Sequence, residues 1–449
     1  MGRFLKGFFE GSMARSTLAM LVSRALSIFI GISLSVLLAR WLAPDGYGSY
    51  LFTLTIAQFL AMPILAGLPA LVVREVAIAR GSDDASALAG IVRWSAGFIV
   101  ATFVVVSSVA VLFLTIRSTH SEDGLSIYLI ALPLVLSLAF LQMWSAVVQG
   151  CEHPFAGSLG DGLIRPVILL GLVFLLATSG TLNPQTALWS HVAAAAAGAG
   201  FAFGYWFLVC RRRGFRQSQP VRYENQKWLL SLLPLSLVTA ASLINSRLDV
   251  LMLGILSIPD DVAHYGIAVQ VAGLVVMGQT IVNTIVAPKI ARLYRLSDNY
   301  QLQVSVTRAA RLSTVIALAV LLFVAIFGAD FLDLLLGEDY SSAWGIAIVL
   351  CCGNLVASAM GPVGKVMSMT GNERSMVRLV WVSAGANAFL NLSLIPLFGA
   401  LGAATATVSA LLVHQALMVR WVYLNLNIAT PAFMSLKKGF GKEGRALSP

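Results

Sequence analysis

Charged side chains are scarce in this 449-residue chain: Asp, Glu, Lys and Arg make up 11% of it, against 58% hydrophobic residues. Mean hydropathy is +0.85. A water-soluble domain carries about a quarter of its residues charged to cover its surface. The shortage excludes a soluble fold and leaves lipid as the solvent. Cysteine is scarce too. The four present, Cys151, Cys210, Cys351 and Cys352, show no paired spacing, so neither a disulfide framework nor a zinc site is indicated. No G-x-x-x-x-G-K-[ST] run occurs, which excludes ATP hydrolysis at a phosphate loop. The acids are scattered over tight turns rather than paired, as glycosyl chemistry would need. An enzyme is therefore not expected, and no cofactor or metal is indicated.

What the chain does have is long apolar runs. A span needs about 20 mostly apolar residues. That ruler marks twelve runs, at 17–42, 50–72, 95–116, 125–147, 163–177, 186–210, 228–256, 265–287, 312–336, 344–369, 376–397 and 400–422. The fifth is short and carries Gly and Pro. The expected fold is all-α and integral to the membrane. Residues 1–16 are basic and aromatic, and the apolar run behind them is too long for a cleavable leader, so a retained first span is expected.

The net charge of +10 comes from 30 basic against 20 acidic residues. The basic residues sit in short runs between apolar stretches, such as Arg211-Arg212-Arg213 and Lys437-Lys438. That is the pattern of loops held inside by the positive-inside rule, not of a nucleic-acid surface. Basic-rich segments, among them Arg74 to Arg93, Lys289 to Arg311 and Arg420 to Arg445, alternate with loops holding only Arg40 and Arg117. Twelve spans with both termini cytoplasmic satisfy this alternation.

The two halves share features at one period. Pro44-Asp45 precedes Tyr50 as Pro259-Asp260 precedes Tyr265, Gly150-Cys151-Glu152 matches Gly371-Asn372-Glu373, and His191 matches His414. Two six-helix repeats follow: a lobe at 1–210, a basic linker at 211–227, a second lobe at 228–426 and a basic cytoplasmic tail at 427–449. In such an architecture the substrate site lies in a central cavity between the halves, and rocking gives alternating access. Small-residue runs such as Ala193–Gly200 and Gly399-Ala400-Leu401-Gly402 are read as close helix packing rather than nucleotide cradles.

Polar groups at membrane depth need a reason, because a charge there costs about 2.5–3.5 kcal/mol on insertion scales. Arg24 lies roughly 12 Å into the first span and shares a face with Ser27 and Gly31. It either lines a wet cavity, the preferred reading, or snorkels to head groups. In the seventh span Ser242, Asn245, Ser246 and Asp249 form a polar stripe at i, i+3, i+4 and i+7. Arg247 is two residues from Asp249, so the two do not face each other unless the helix breaks. This segment either lines the cavity or buries Asp249 against another helix. Gln279 and Asn283 are polar at i and i+4 in the eighth span, as are Asn354, Asn387 and Asn391 further on. Interhelical hydrogen bonds are the simpler reading for these uncharged groups. His191 and His414 are either proton relays or, more simply, satisfied by a neighbouring helix.

The first external turn reads Leu38-Ala39-Arg40-Trp41-Leu42-Ala43-Pro44-Asp45-Gly46-Tyr47-Gly48, and Gly67-Leu68-Pro69-Ala70 with Arg74-Glu75-Val76-Ala77 closes the next span. With Arg24 before them, and with Arg247-Leu248-Asp249-Val250-Leu251-Met252-Leu253-Gly254, Tyr265-Gly266-Ile267-Ala268 and Gly371-Asn372-Glu373 after them, these segments resemble the bacterial polysaccharide biosynthesis membrane proteins. These are the O-antigen (Wzx-type) flippases, in a superfamily shared with multidrug extruders and the lipid II flippase. The resemblance implies a flippase of the bacterial cytoplasmic (inner) membrane. Its cargo would be a polyprenyl-diphosphate-linked oligosaccharide, and its partners the bilayer and a polysaccharide polymerase. Arg24 and Arg247 would hold the diphosphate, with Ser27, Asn245, Gln279 and Asn283 replacing sugar hydration and Asp249 a further substrate-binding candidate. Asp249 keeps open a cation-coupled small-molecule exporter as the alternative, with a membrane polymerase a distant third.

Overall fold

The computed structural model describes residues 12–117, 125–210 and 220–433. Among these, structure is helical throughout: α1 Ser12–Leu65, α2 Leu68–Gly81, α3 Ala85–Arg117, α4 Leu125–Leu129, α5 Ala131–Gly150, α6 Pro154–Leu159, α7 Arg165–Thr178 and α8 Pro184–Tyr205. There follow α9 Asn225–Leu256, α10 Pro259–Arg295, α11 Asn299–Leu336, α12 Ser341–Ala359, α13 Val363–Met369 and α14 Glu373–Leu426. Nine helical stretches among the described residues are long and apolar enough to cross a bilayer, or ten if the two arms of α9, broken between Ala241 and Leu243, count as one span. Their outward faces are apolar, with Val105, Phe174, Ile326, Phe389 and Leu397 all more than half exposed. A surface of this kind is stable only against lipid. The chain is a multi-pass membrane protein.

Two elements are too long for one crossing. At 1.5 Å per residue the 54-residue α1 and α14 would each run about 80 Å. Each breaks where the sequence reading ends one span and begins another: at Ala43 (φ 56°), just before Pro44, and at Gly399 (φ 53°). A Cβ at Gly399 would sit 2.6 Å from a carboxylate oxygen of Asp261. The Gly399–Gly402 run is thus a turn as well as a packing site, which the expectation of packing alone missed. Gly402 supplies the packing: a Cβ there would collide with the Leu394 carbonyl.

Helix starts follow local chemistry. Asn183 and Thr186 form a reciprocal capping box ahead of Pro184 (2.8 and 2.9 Å), and Asp298 accepts from the Gln301 amide at 3.0 Å. The fifth span is longer than its hydropathy suggests. Helix α6, a π-helical turn at Gly160–Ile164 and α7 run on from Pro154 to Thr178. Gly157, Gly160 and Gly162 depress the hydropathy of this stretch, yet the first two are what lets it pack. A Cβ on Gly198 of α8 would lie 2.8 Å from the Gly160 carbonyl, a backbone approach that accounts for the Ala193–Gly200 run.

The chain forms two compact units, Met1–Leu243 and Ile244–Pro449. In the first, α5 packs against α8, α2 and α1. In the second, α10, α11 and α12 pack on one another and α12 on α14. The first residues of the expected tail are bonded into the second unit. The Ala429 amide donates to Gln303 at 2.8 Å, the Ala432 amide to the Ala359 carbonyl at 2.8 Å, and Arg311 to the Ala432 carbonyl at 3.1 Å. The expectations for residues 1–11, for most of the linker and for the rest of the tail lie outside the described residues, as does the side chain of Arg24.

The end of the linker straps onto the first unit. The Arg222 amide donates to the Ser86 carbonyl at 3.3 Å, and Gly90 leaves room for the Arg222 carbonyl, with which a Cβ would collide. Trp228 is buried beside Trp94, ring centroids 5.3 Å apart. Lys227 bridges Glu224 (2.8 Å) and the buried Glu75 (3.3 Å), Arg222 meets Glu224 at 2.7 Å, and Arg74 meets Glu75 at 3.0 Å. Lys227 holds the Glu224 carboxyl below its ordinary range and is itself raised by Glu224. The Ala87 and Ser86 groups hold Asp84, the cap of α3, below its range too. The lowered carboxylates stabilise the strap above the unfolded carboxyl range and lose this as pH falls through their folded values. Raised Lys227 contributes below its unfolded value and loses this as pH rises through the folded one. Amide exchange of 221–228, corrected for intrinsic rate, is therefore expected to be flat from pH 6 to 9 and to speed up several-fold below about pH 4. These groups are largely exposed, so the effect stays small. Unchanged protection at pH 3 would assign the strap to Trp228 and the backbone alone.

Candidate functional site

In the second unit a buried carboxylate gathers three helices. Asp249, on α9, is 5% exposed. Its Oδ1 accepts from the side-chain amides of Asn387 and Asn391, each at 2.7 Å, and its Oδ2 accepts from the Tyr265 hydroxyl at 3.1 Å. Tyr265 also shares a hydrogen bond with Thr407 at 3.0 Å, and Asn391 donates to Asn387 at 3.1 Å. Asn387 and Asn391 lie one turn apart on α14, so one face presents both amides to one oxygen. No lysine or arginine forms an ion pair with Asp249 among the described residues. An acid held only by neutral dipoles can stay ionised or take up a proton or small cation without breaking an ion pair. The uncharged polar residues at depth do make interhelical bonds here.

The remaining expected site residues fall elsewhere. Arg247 is exposed, so it and Asp249 point to different surroundings, as their spacing requires. Asn245 is half-buried and donates to the Val380 carbonyl at 3.3 Å. Gln279 and Asn283 are half-buried on α10. Ser27 is in the first unit, half-buried on a cavity wall. The structure thus brings Asp249 together with Asn387 and Asn391 but not with Arg247. His191 is buried against α1, its Nδ1 3.0 Å from the Tyr50 hydroxyl. The paired tyrosines of the two halves, Tyr50 and Tyr265, are both buried and both bonded to another helix; only the second half supplies an acid.

The first unit contains a cavity of about 550 Å³ that the sequence reading did not anticipate. Its walls are Ser27 of α1, Pro69, Ala70 and Val73 of α2, Gln142, Ser145, Ala146 and Gln149 of α5, and Gly157, Ser158, Asp161 and Gly162 of α6 and the π turn. Gln142, Ser145 and Gln149 stand at i, i+3 and i+7, a polar face visible in the sequence. Asp161 pairs with Arg165 at 3.2 Å.

The profile of the polysaccharide biosynthesis protein family matches residues 13–294, well over half of the chain. The chain belongs to the polysaccharide biosynthesis protein family. Among its relatives is the Haloferax volcanii protein named "Probable low-salt glycan biosynthesis flippase Agl15", 20% identical over 282 residues. That match takes in 63% of this chain and spans 56% of the relative's length. The fold is similar to an inward-facing multidrug resistance MATE transporter of the MOP superfamily (TM-score 0.72, 13% identity, 92% of this chain and 98% of that one). It is also similar to the lipid II flippase MurJ in an inward closed conformation (TM-score 0.70, 13% identity, 91% and 87%). A third likeness is to a MOP superfamily transporter from Pyrococcus furiosus (TM-score 0.59, 14% identity, 90% and 95%). The chain shares its fold with these transporters.

Proposed function

We propose that this family member is a flippase that moves polyprenyl-diphosphate-linked oligosaccharides across the cytoplasmic membrane by alternating access, for surface polysaccharide synthesis. Counting α1 and α14 as two spans each gives the twelve-helix, two-lobe arrangement this requires. The observation that carries the reading is a polar cavity inside a lipid-facing unit of a polysaccharide biosynthesis protein. Sugar hydroxyls each cost roughly 0.5–2 kcal/mol or more to strip of water, so a cargo rich in them needs a polar path through lipid. Arg24 and Arg247 would meet the diphosphate, with Ser27, Asn245, Gln279 and Asn283 beside the glycan. The lipid tail stays in the bilayer throughout.

Asp249 supports a second reading, a cation-coupled exporter, because a buried intramembrane acid is a functional group by default. Its enclosure by three hydrogen bonds suits an ion-coupling residue better than a docking point for a bulky cation. Depleting the protein from its host is expected to leave lipid-linked repeat units on the inner leaflet and remove surface polysaccharide. Normal polysaccharide with altered drug tolerance would overturn the flippase in favour of the exporter. Single repeat units displayed outside would point to a polymerase.

A further inference from the structure

We propose that the cavity of the first unit is a recognition site for an uncharged sugar, the glycan end of the cargo rather than its diphosphate. This rests on the flippase reading for the identity of the cargo, but not for the chemistry of the site. The wall offers two carboxamides, Gln142 and Gln149, three hydroxyls, Ser27, Ser145 and Ser158, and one carboxylate, Asp161. No lysine or arginine lines it among the described residues. The one acid is matched by Arg165, so the described part of the wall is close to neutral. A neutral lining rich in groups that both donate and accept fits vicinal hydroxyls, which do the same. A diphosphate would need cations, and an organic cation would need an acid not already paired.

Two further observations mark the cavity as built rather than left over. Ser145, a residue of the cavity wall, is 6% exposed, and its fully buried Oγ has no hydrogen-bond partner among the described residues. An unpaired buried hydroxyl costs stability, and a ligand in the cavity would recover that cost if the side chain turns about χ1 to meet it. Another part of the wall, Asp161 and Gly162, comes from the π turn at Gly160–Ile164, an uncommon element concentrated at functional sites. Gly157 lets that wall close on α5, since a Cβ there would stand 2.6 Å from the Gln149 side chain. The cavity volume is in the range of small-ligand sites, about 300–1,000 Å³. Pro69, Ala70 and Val73 add an apolar patch for the C–H face of a sugar ring.

The test is thermal stabilisation of the purified full-length protein in detergent, titrated with methyl glycosides of glucose and N-acetylglucosamine, and separately with inorganic pyrophosphate. At least one glycoside is expected to stabilise the wild type. Gln149→Leu is expected to weaken that response at least tenfold. Ser145→Ala is expected to weaken it several-fold while leaving the ligand-free melting temperature unchanged or raised, an outcome that a merely structural serine would not give. No glycoside response, an equal response in both variants, or a pyrophosphate response that Gln149→Leu removes would each overturn the site. The flippase reading fails separately: glycoside binding that persists alongside normal polysaccharide export in depleted cells would sink the cargo assignment and leave the sugar site standing.

Discussion

Asp249→Asn is expected to yield a folded protein that no longer transports. The asparagine carbonyl can accept the Asn387 and Asn391 amides, and its own amide can donate to the Tyr265 hydroxyl. The packing is isosteric, so stability should stay within about 1 kcal/mol of wild type. What disappears is the one carboxylate in the cluster. Export measured as surface polysaccharide per unit of membrane protein is expected to fall at least tenfold. Asp249→Ala is the contrasting case. It leaves the Tyr265 hydroxyl and two amides without their shared acceptor. At about 1–3 kcal/mol for each unsatisfied group, against a total of about 5–15 kcal/mol, the alanine protein should accumulate poorly. Wild-type export by the asparagine variant would remove Asp249 from the transport cycle and leave it as a fold-specifying residue.

How far the sequence foretells this cluster depends on chain separation. Asp249 is conspicuous alone, because an acid in an apolar run is costly, and Asn387 and Asn391 are conspicuous as an i, i+4 pair. Their meeting joins residues 138 and 142 apart, and hydropathy contains no term for such a contact. The spans themselves are legible because each is set by its own twenty or so residues. So is the break before Pro44, since the residue preceding a proline disfavours the helical region. The fifth span is misjudged for a physical reason: Gly157 and Gly160 lower hydropathy while permitting the close approach that holds it in place. The cavity of the first unit is half legible. Gln142, Ser145 and Gln149 declare a polar face on one helix, but nothing local says that Ser27 and Asp161 stand across from it.

Arg247→Ala should show the converse of Asp249→Ala. Arg247 is exposed, so its removal is expected to change stability by no more than about 0.5 kcal/mol, and membrane abundance should hold. If its guanidinium meets the diphosphate, the loss of a charge-assisted bond of about 1.5–3 kcal/mol lowers export by roughly 10–100-fold. Arg247→Lys should restore only part, because an ammonium cannot match phosphate bidentately. Arg247 and Asp249 stand about 200° apart around one helix and touch different surroundings, so the two losses should belong to different steps. Arg247→Ala should weaken dependence on cargo, Asp249→Asn dependence on the driving ion. The double variant should then combine both effects to within about 0.5 kcal/mol of additivity. A strong coupling between them would tie Arg247 to the buried acid instead of the diphosphate, and wild-type export by Arg247→Ala would remove it from the transport cycle.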